Sequence, residues 1–402
     1  MIKLAWRNSW RNKRRTLITM ASVFFAVCFC TVMSSFSEGV WDKMIENTLR
    51  TQTGHIQIHG KGYWDDKITD NFLTMDTETL SRLETVENIG NVSPRLETFA
   101  MASMGMSSKG IAVVGISPRQ EAAKSNLPAR LTKGRYLSET DDGILIGEGL
   151  SRYLKADTGD TLALVGQGYQ GAGAVGLFPV RGVLHLMLSE MDNGVAYVAL
   201  PAAQQFIGMP DGYSGVLIAV RNNDHLDETI HAVKQIVDGQ HVDVYPWHFT
   251  MERLLQTSRS DKAFTKVILF VLYLIAGFGI LGAVIMLTNE RKREFGMMIS
   301  LGMQRMRLAA IVALELVMTT FSGVVSALLV CLVFTRWFAL HPIAFTGEMA
   351  QIYATYGMEP LMPASTAPAV FIKQIVIVLI LTALAAIYPV TKIMKLKIMD
   401  RS

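Results

Sequence analysis

Cysteine is scarce in this 402-residue sequence, and the three cysteines, Cys28, Cys30 and Cys331, all lie within apolar runs. The long polar middle of the chain has none, which excludes a disulfide framework there. No CxxC pair is present either, which excludes the common thiolate metal and redox motifs. A folded domain in the polar middle must therefore be stabilised by its own hydrophobic core.

Motifs for nucleotide binding and hydrolysis are also missing. The sequence has no GxxxxGK[ST], GxSxG or HExxH segment, which argues against a P-loop, a nucleophile elbow and a zinc-protease site. The glycine-rich run Gly166–Gly176 is too irregular for a phosphate cradle and predicts a loop. No residue is therefore predicted to be catalytic, and the chain is not predicted to be an enzyme.

Metal and nucleic-acid sites have little support. His55 and His59 lie in an alternating pattern that predicts a strand, where residues four apart are about 13 Å from each other. That separation is too large for one metal ion, so no metal site is predicted. The net charge of +4 provides no general attraction to nucleic acid.

Half of the residues are hydrophobic, and they are concentrated in four long runs. The runs are Leu17–Phe36, Val267–Thr288, Leu308–Phe334 and Val370–Val390. About 20 apolar helical residues, at about 1.5 Å each, cross a hydrocarbon core of about 30 Å. The first run is also too long for a cleavable signal and predicts a retained anchor. The sequence predicts a membrane protein with four transmembrane α-helices, arranged one plus three.

Basic residues flank these runs in three clusters: before the first run, between the second and third, and after the fourth. If all three clusters are cytosolic, the positive-inside rule places both termini in the cytosol. The predicted boundaries are an interfacial cytosolic helix at 1–16, spans at 17–36, 267–288, 308–334 and 370–390, an extracytoplasmic domain at 37–266, a cytosolic segment at 289–307, an extracytoplasmic loop at 335–369 and a cytosolic tail at 391–402. Strand-like alternation mixed with short helical stretches predicts that the large extracytoplasmic domain is α+β.

The segment Asn289–Met303 reads NERKREFGMMISLGM. It resembles the E-R-x-R-E-I-G-x-x-x-x-L-G-A segment of the FtsX/MacB-like (type VII) ABC transporter permeases. The stretches Gly134–Leu137, Gly143–Gly147 and Val198–Gln205 resemble the MacB-like core domain of that family. The basic start of the chain and the stretch Gly54–Ile58 most resemble the lipoprotein-releasing LolC/LolE branch.

This resemblance implies a non-catalytic permease subunit in the inner (cytoplasmic) membrane, with its large domain in the periplasm. It implies two copies of a separate ABC ATPase that binds ATP and Mg²⁺, a second permease that is identical or paralogous, and mechanotransmission for lipoprotein release to the outer membrane. MacB-like drug or peptide efflux and FtsX-like control of cell-wall hydrolases are the alternatives. Two departures bear on the choice of partner: Met303 replaces alanine, and the C-terminal stretch lacks the usual proline.

The same resemblance implies that the segment after the second span docks on the ATPase. The residues expected to form this coupling site are Glu290, Arg291, Arg293, Glu294, Gly296, Met297, Met298, Leu301, Gly302 and Arg305. The arginines would meet carboxylates, and Met297, Met298 and Leu301 would enter an apolar groove.

Glu315 lies about 10 Å into the third span by helical rise. A carboxylate at mid-membrane is unfavourable by about 2.5–3.5 kcal/mol. A structural role is therefore predicted, as the partner of an arginine such as Arg307 or in contact with a partner helix.

Overall fold

A computed structural model describes residues 13–396, apart from 67, 126, 187–188, 349 and 351–360. The chain divides into two compact units. The helical unit comprises 1–43, 256–344 and 361–402, and the sheet unit comprises 44–255 and 345–360. Residues 1–12 of the predicted interfacial helix and residues 397–402 of the predicted tail lie outside the described residues.

Four long helices carry the apolar runs: Lys13–Thr48, Glu252–Glu290, Arg305–Leu340 and Pro368–Met394. Each is long and apolar enough to cross a membrane, which confirms the prediction of four spans. We call them the first to fourth span helices. A methyl group at Gly323 would lie 3.0 Å from the carbonyl oxygen of Met20, so glycine allows the first and third span helices to pack closely.

The remainder of the helical unit is short. The helix Lys292–Ser300 follows the second span helix, and the strand pair Ile343–Ala344 and Leu361–Met362 follows the third. Two hydrogen bonds join Ser35 and Ser365. The Ser35 hydroxyl donates to the carbonyl oxygen of Ser365, and the Ser365 amide donates to the carbonyl oxygen of Ser35. The segment before the fourth span helix is thereby fixed to the first.

The described part of the sheet unit contains twelve strands, which we number in chain order. They are β1 (Ile56–Gly60), β2 (Leu73–Thr74), β3 (Ile89–Met104), β4 (Ser107–Ile116), β5 (Leu131–Gly134), β6 (Ile144–Gly147), β7 (Thr161–Gln167), β8 (Gly173–Leu184), β9 (Val195–Ala199), β10 (Gly212–Tyr213), β11 (Gly215–Val220) and β12 (Val242–Pro246). Ten of them form one sheet in the order β12-β1-β11-β3-β4-β9-β6-β8-β5, with β7 paired to β3 and β8.

Helices of the sheet unit cover parts of this sheet. They are Thr77–Glu84, Pro118–Ser125, Glu148–Leu154, Ser189–Gly194, Leu200–Ile207 and Leu226–Ile236, with single helical turns at Tyr63–Asp66 and Trp247–Thr250 and a π-helical turn at Leu49–Thr53. Among the twelve described strands, only the β4–β9 and β6–β8 pairings are parallel. The α+β prediction is confirmed.

Two hydrophobic cores lie on the sheet, and β3 contributes to both. One contains Leu96 and Ile146, and the other contains Val92 and Ile58. All four side chains are almost fully buried. The sheet unit thus has the substantial apolar core that a domain without cysteines requires.

The prediction of a loop over the whole of Gly166–Gly176 is wrong. β7 and β8 form a hairpin in which Gly166 opposes Ala174, and only residues 168–172 turn. A methyl group at Gly166 would lie 2.8 Å from the carbonyl oxygen of Phe99, so glycine serves the close approach of two strands. Gly166, Gly168 and Gly171 have the spacing G-x-G-x-x-G. This spacing lies in a turn between antiparallel strands, whereas a dinucleotide site needs a strand-to-helix turn.

Candidate functional site

The segment between the second and third span helices is the first candidate site. The second span helix ends at Glu290, and Arg291 leaves helical geometry with φ −91° and ψ 7°. A nine-residue helix, Lys292–Ser300, follows; we call it the connecting helix. Gly302 then has φ +93°, a left-handed conformation that glycine adopts without strain. The chain therefore turns at Gly302 between the connecting helix and the third span helix.

One face of the connecting helix is fixed inside the helical unit. Phe295 is fully buried against Leu308, Ala309 and Val312 of the third span helix and Ile393 of the fourth. Met298 and Ile299, one turn further along, pack partly against the same cluster. Phe295 was not among the predicted site residues. The sequence feature that indicates its burial is the spacing of three and four residues between Phe295, Met298 and Ile299 within an otherwise charged segment.

Arg291 holds the start of the connecting helix against the third span helix. Its Nη1 donates to both carboxylate oxygens of Glu315, at 3.0 and 2.9 Å, and its Nε donates to Glu294 at 3.3 Å. Its guanidinium lies 5.4 Å from the centre of the Phe295 ring. Arg291 and Glu315 are only 7% and 6% exposed.

Glu315 thus has an arginine partner, as predicted, but that partner is Arg291 and not the suggested Arg307, which is exposed. Arg305 also has a partner within the chain: its Nη1 donates to the carbonyl oxygen of Met394, at the end of the fourth span helix. Arg291 and Arg305 therefore both bind groups within the helical unit.

The opposite face of the connecting helix is open. Arg293, Met297 and Leu301 are exposed at spacings of four residues, which places them on one side of the helix. Met297 is 62% exposed and Leu301 is 82% exposed. We call these three residues the exposed stripe. Large apolar side chains in such positions are typical of surfaces that bind another protein.

Two glycines of this segment should respond differently to alanine. Gly302→Ala should lower the free energy of unfolding by about 1–2 kcal/mol, because alanine is strained at positive φ. Gly296→Ala should raise it by about 0.5–1 kcal/mol, because Gly296 is helical and a methyl group there meets no described atom within 4 Å. Thermal unfolding of the full chain in detergent measures both changes. Equal melting temperatures for the two variants would contradict this assignment.

The second candidate site is an apolar cleft of about 750 Å³ within the helical unit. Leu269 and Phe270 of the second span helix and Ile377 and Leu381 of the fourth form its apolar wall. Ser34, Ser37, Glu38, Lys262, Lys266 and Lys373 also line it, toward the ends of the helices that lead out of the predicted spans. Lys262 is paired with Glu38 at 2.6 Å. A cleft of this kind suits an aliphatic chain that carries a polar head.

The third candidate site is an apolar face on the sheet unit. Met101 on β3 opposes Val165 on β7, which opposes Val175 on β8. Phe99 and Leu177 lie two residues along from this row, on the same side of the sheet. All five side chains are between 47% and 75% exposed. We call these residues the apolar face.

Within the described residues, no group of three histidine, cysteine or acidic side chains could hold a metal ion. The two histidines considered above have other partners. His59 lies 2.7 Å from the carbonyl oxygen of Ser214 and 2.8 Å from Gln57, and His55 accepts a hydrogen bond from the amide of Val220.

Two family models match this chain. The MacB-like periplasmic core domain matches residues 16–236, and the FtsX-like permease C-terminal domain matches residues 266–398. Together they cover most of both units and the apolar runs of all four span helices. The connecting helix lies within the FtsX-like match.

Curated relatives are distant. The pyoverdine export ATP-binding/permease proteins PvdT of Pseudomonas entomophila (strain L48) and Pseudomonas putida (strain KT2440) are each 21% identical over 369 residues. Each match covers 88% of this chain and 55% of the relative. The chain thus spans about half the length of these relatives.

Two solved structures resemble part of the chain. The periplasmic region of MacB from Actinobacillus actinomycetemcomitans is 15% identical, with a TM-score of 0.38, and the match covers 53% of this chain and 98% of that one. The extracellular domain of the transporter YknZ from Gram-positive bacteria is 15% identical, with a TM-score of 0.35, and the match covers 48% of this chain and 100% of that one.

Proposed function

Because the chain belongs to the FtsX/MacB-like family of ABC transporter permeases, we propose that it is the non-catalytic membrane subunit of a lipoprotein-releasing complex. Two copies of a separate ATPase bind ATP and Mg²⁺ at the cytosolic side of the inner membrane. A second permease, identical or paralogous, completes the complex. Motion driven by ATP reaches the periplasmic domain and moves lipoproteins toward the outer membrane.

The observation that carries this proposal is the two-sided connecting helix. Phe295 and the Arg291–Glu315 pair fix one face to the third and fourth span helices, while the exposed stripe leaves two large apolar side chains uncovered. A rigidly held helix with an open apolar face can transmit a push from a partner, since its anchors resist independent movement. Membership of the family implies that this partner is an ABC ATPase.

Lipoprotein as cargo is supported by the cleft and by the apolar face. The cleft provides an apolar wall for an acyl chain and lysines near its outer end. The apolar face provides aliphatic and aromatic side chains outside the membrane, where a released acyl chain needs shelter from water. Each methylene kept out of water is worth about 0.8 kcal/mol, so such surfaces can stabilise an acyl chain that has left the bilayer.

Export of a small molecule is the second candidate, because the PvdT relatives are named for pyoverdine export. The same connecting helix would serve an efflux permease. The two functions differ in cargo, so a cargo experiment separates them.

A photoreactive amino acid at Leu177 should crosslink to an acylated lipoprotein in nanodiscs that contain the full chain and its ATPase. We expect crosslinking because Leu177 lies on the apolar face, and Leu177→Glu should reduce lipoprotein release at least tenfold. Mass spectrometry identifies the crosslinked product.

The same photoreactive residue at Tyr153 is the matched control, since Tyr153 is also exposed but lies outside the apolar face. A non-acylated form of the lipoprotein should not crosslink at either position. Crosslinking that does not require acylation, together with ATPase stimulation by a small molecule, would favour efflux.

A further inference from the structure

A cavity of about 590 Å³ lies in the sheet unit, beside the π-helical turn Leu49–Thr53, the start of β3 and the end of β11. Its charged side chains are mostly basic: Arg50, Lys124 and Arg221, against one carboxylate, Glu46. Asn91 and His55 also line it. We propose that this cavity binds an anionic group, a phosphate or carboxylate, that belongs to a larger molecule. The proposal is independent of ATPase coupling and of the cargo.

Two of the residues that line this cavity carry buried donors. The Lys124 ammonium and the Asn91 side-chain amide nitrogen have almost no exposed surface, and neither has a hydrogen-bond partner among the residues that the structure describes. An unpaired buried donor is unfavourable by about 1–3 kcal/mol, and more if it is charged. An anion in the cavity would accept hydrogen bonds from both donors.

Glu121, three residues before Lys124 on the same helix, does not neutralise it, because its carboxylate is already bound by an arginine. Both oxygens of Glu121 accept hydrogen bonds from Arg95 at 2.8 Å. Burial and the nearby charge of Arg95 lower the pKa of Lys124 to about 7, although Glu121 and Glu97 act in the opposite direction. An anion would stabilise the charged amine, raise its pKa and cause uptake of a proton.

His55 contributes a neutral donor. Its Nδ1 accepts a hydrogen bond from the amide of Val220 at 3.3 Å, so the proton of the neutral ring is on Nε2. Burial and the charge of Lys124 lower the pKa of His55, so the ring is neutral at pH 7. Because His55 is neutral, the charges that act on Lys124 come from other residues. They are Arg95, Glu97 and Glu121, together with Glu46, Arg50 and Arg221 of the cavity wall.

The size of the cavity indicates more than a free ion. A water molecule takes about 30 Å³ of liquid, so the cavity has room for the remainder of a molecule beside its anionic group. A lipid headgroup and a soluble phosphate or carboxylate compound share this chemistry.

The test uses sulfate as the probe, because it remains a dianion between pH 6 and 8. Calorimetric titration of the full chain in an uncharged detergent should detect binding, and Lys124→Met should weaken it at least tenfold. Wild-type affinity should fall about tenfold from pH 6 to pH 8, because Lys124 loses its proton across its pKa of about 7. In Lys124→Met the affinity should not change with pH.

Asn91→Leu removes the second donor and should weaken sulfate binding about threefold or more. This variant provides the test if Lys124→Met fails to fold. Lys234→Met is the matched control, since Lys234 is exposed on the helix Leu226–Ile236, and it should bind sulfate as the wild type does. Absence of sulfate binding in the wild type, or unchanged binding in folded Lys124→Met or Asn91→Leu, would overturn the proposal.

Nanodiscs separate the two sources of the anion. If a lipid headgroup occupies the cavity, phosphatidylglycerol nanodiscs should weaken sulfate binding relative to phosphatidylcholine nanodiscs, and the difference should vanish in Lys124→Met. Equal sulfate affinities in both lipids would assign the site to a soluble anion.

Discussion

Arg291→Ala is expected to lower the free energy of unfolding by about 3–5 kcal/mol, because it leaves the Glu315 carboxylate buried without its arginine. Removal of one partner of a buried ion pair has this large effect since the remaining charge keeps its desolvation penalty. Denaturant unfolding of the full chain in detergent measures the change.

The double variant Arg291→Met, Glu315→Leu should be far more stable than Arg291→Ala, because apolar side chains of similar size can replace a buried pair with little loss. Arg307→Ala is the control, since Arg307 is exposed near the start of the same helix as Glu315. It should change stability by about 0.5 kcal/mol or less. If Arg291→Ala were as stable as Arg307→Ala, the proposed role of the pair as an anchor would be wrong.

Met297→Asp combined with Leu301→Asp should abolish association with the ATPase while the chain remains folded. Each apolar side chain that becomes fully buried contributes about 1.5–3 kcal/mol, so the pair is expected to change affinity by two orders of magnitude or more. The fold should tolerate the change because both side chains are exposed in this chain. ATPase retained on the tagged permease, measured against added ATPase concentration, gives the affinity.

Gln304→Asp adds one negative charge in the same connection, outside the exposed stripe, and should retain most of the ATPase. These variants are sharper than a deletion of residues 290–302, which would also remove Arg291 and Phe295 and so disturb the anchors. ATPase affinity that is equal in Met297→Asp, Leu301→Asp and in Gln304→Asp would mean that docking occurs elsewhere.

The spans and the family were predictable because their signals are local. Runs such as Leu17–Phe36 contain no charge over twenty residues, and few structures other than a membrane helix accommodate that pattern. The segment Asn289–Met303 resembles the family segment residue by residue, so no knowledge of the fold is needed to recognise it. The mixed character of the extracytoplasmic domain followed from alternation and short helical patterns.

The anchors of the connecting helix were not predictable, because they depend on contacts between distant parts of the chain. Arg307 lies two turns before Glu315 on one helix, and nothing in the sequence ranked it below Arg291, which reaches Glu315 from another helix. Phe295 is buried partly by Ile393, almost one hundred residues later. The sequence identified the segment but did not distinguish its fixed face from its open one.

The apolar face and the β7–β8 hairpin were missed for a related reason. Glycine usually indicates a loop, whereas Gly166 allows β7 to approach β3 closely. Only the register of β3, β7 and β8 brings Met101, Val165 and Val175 into one row. Register depends on pairing between strands that lie up to seventy residues apart, which the pattern of a single strand does not encode.

The proposed function requires that an ATPase docks on the exposed stripe of this permease. The most direct measurement is affinity purification of the tagged full chain from its native membrane in mild detergent, with mass spectrometry of the retained proteins. We expect that a P-loop ATPase is retained by the wild type and by Gln304→Asp and is lost from the double variant Met297→Asp, Leu301→Asp. A folded wild-type chain that retains no ATPase would contradict the proposed function.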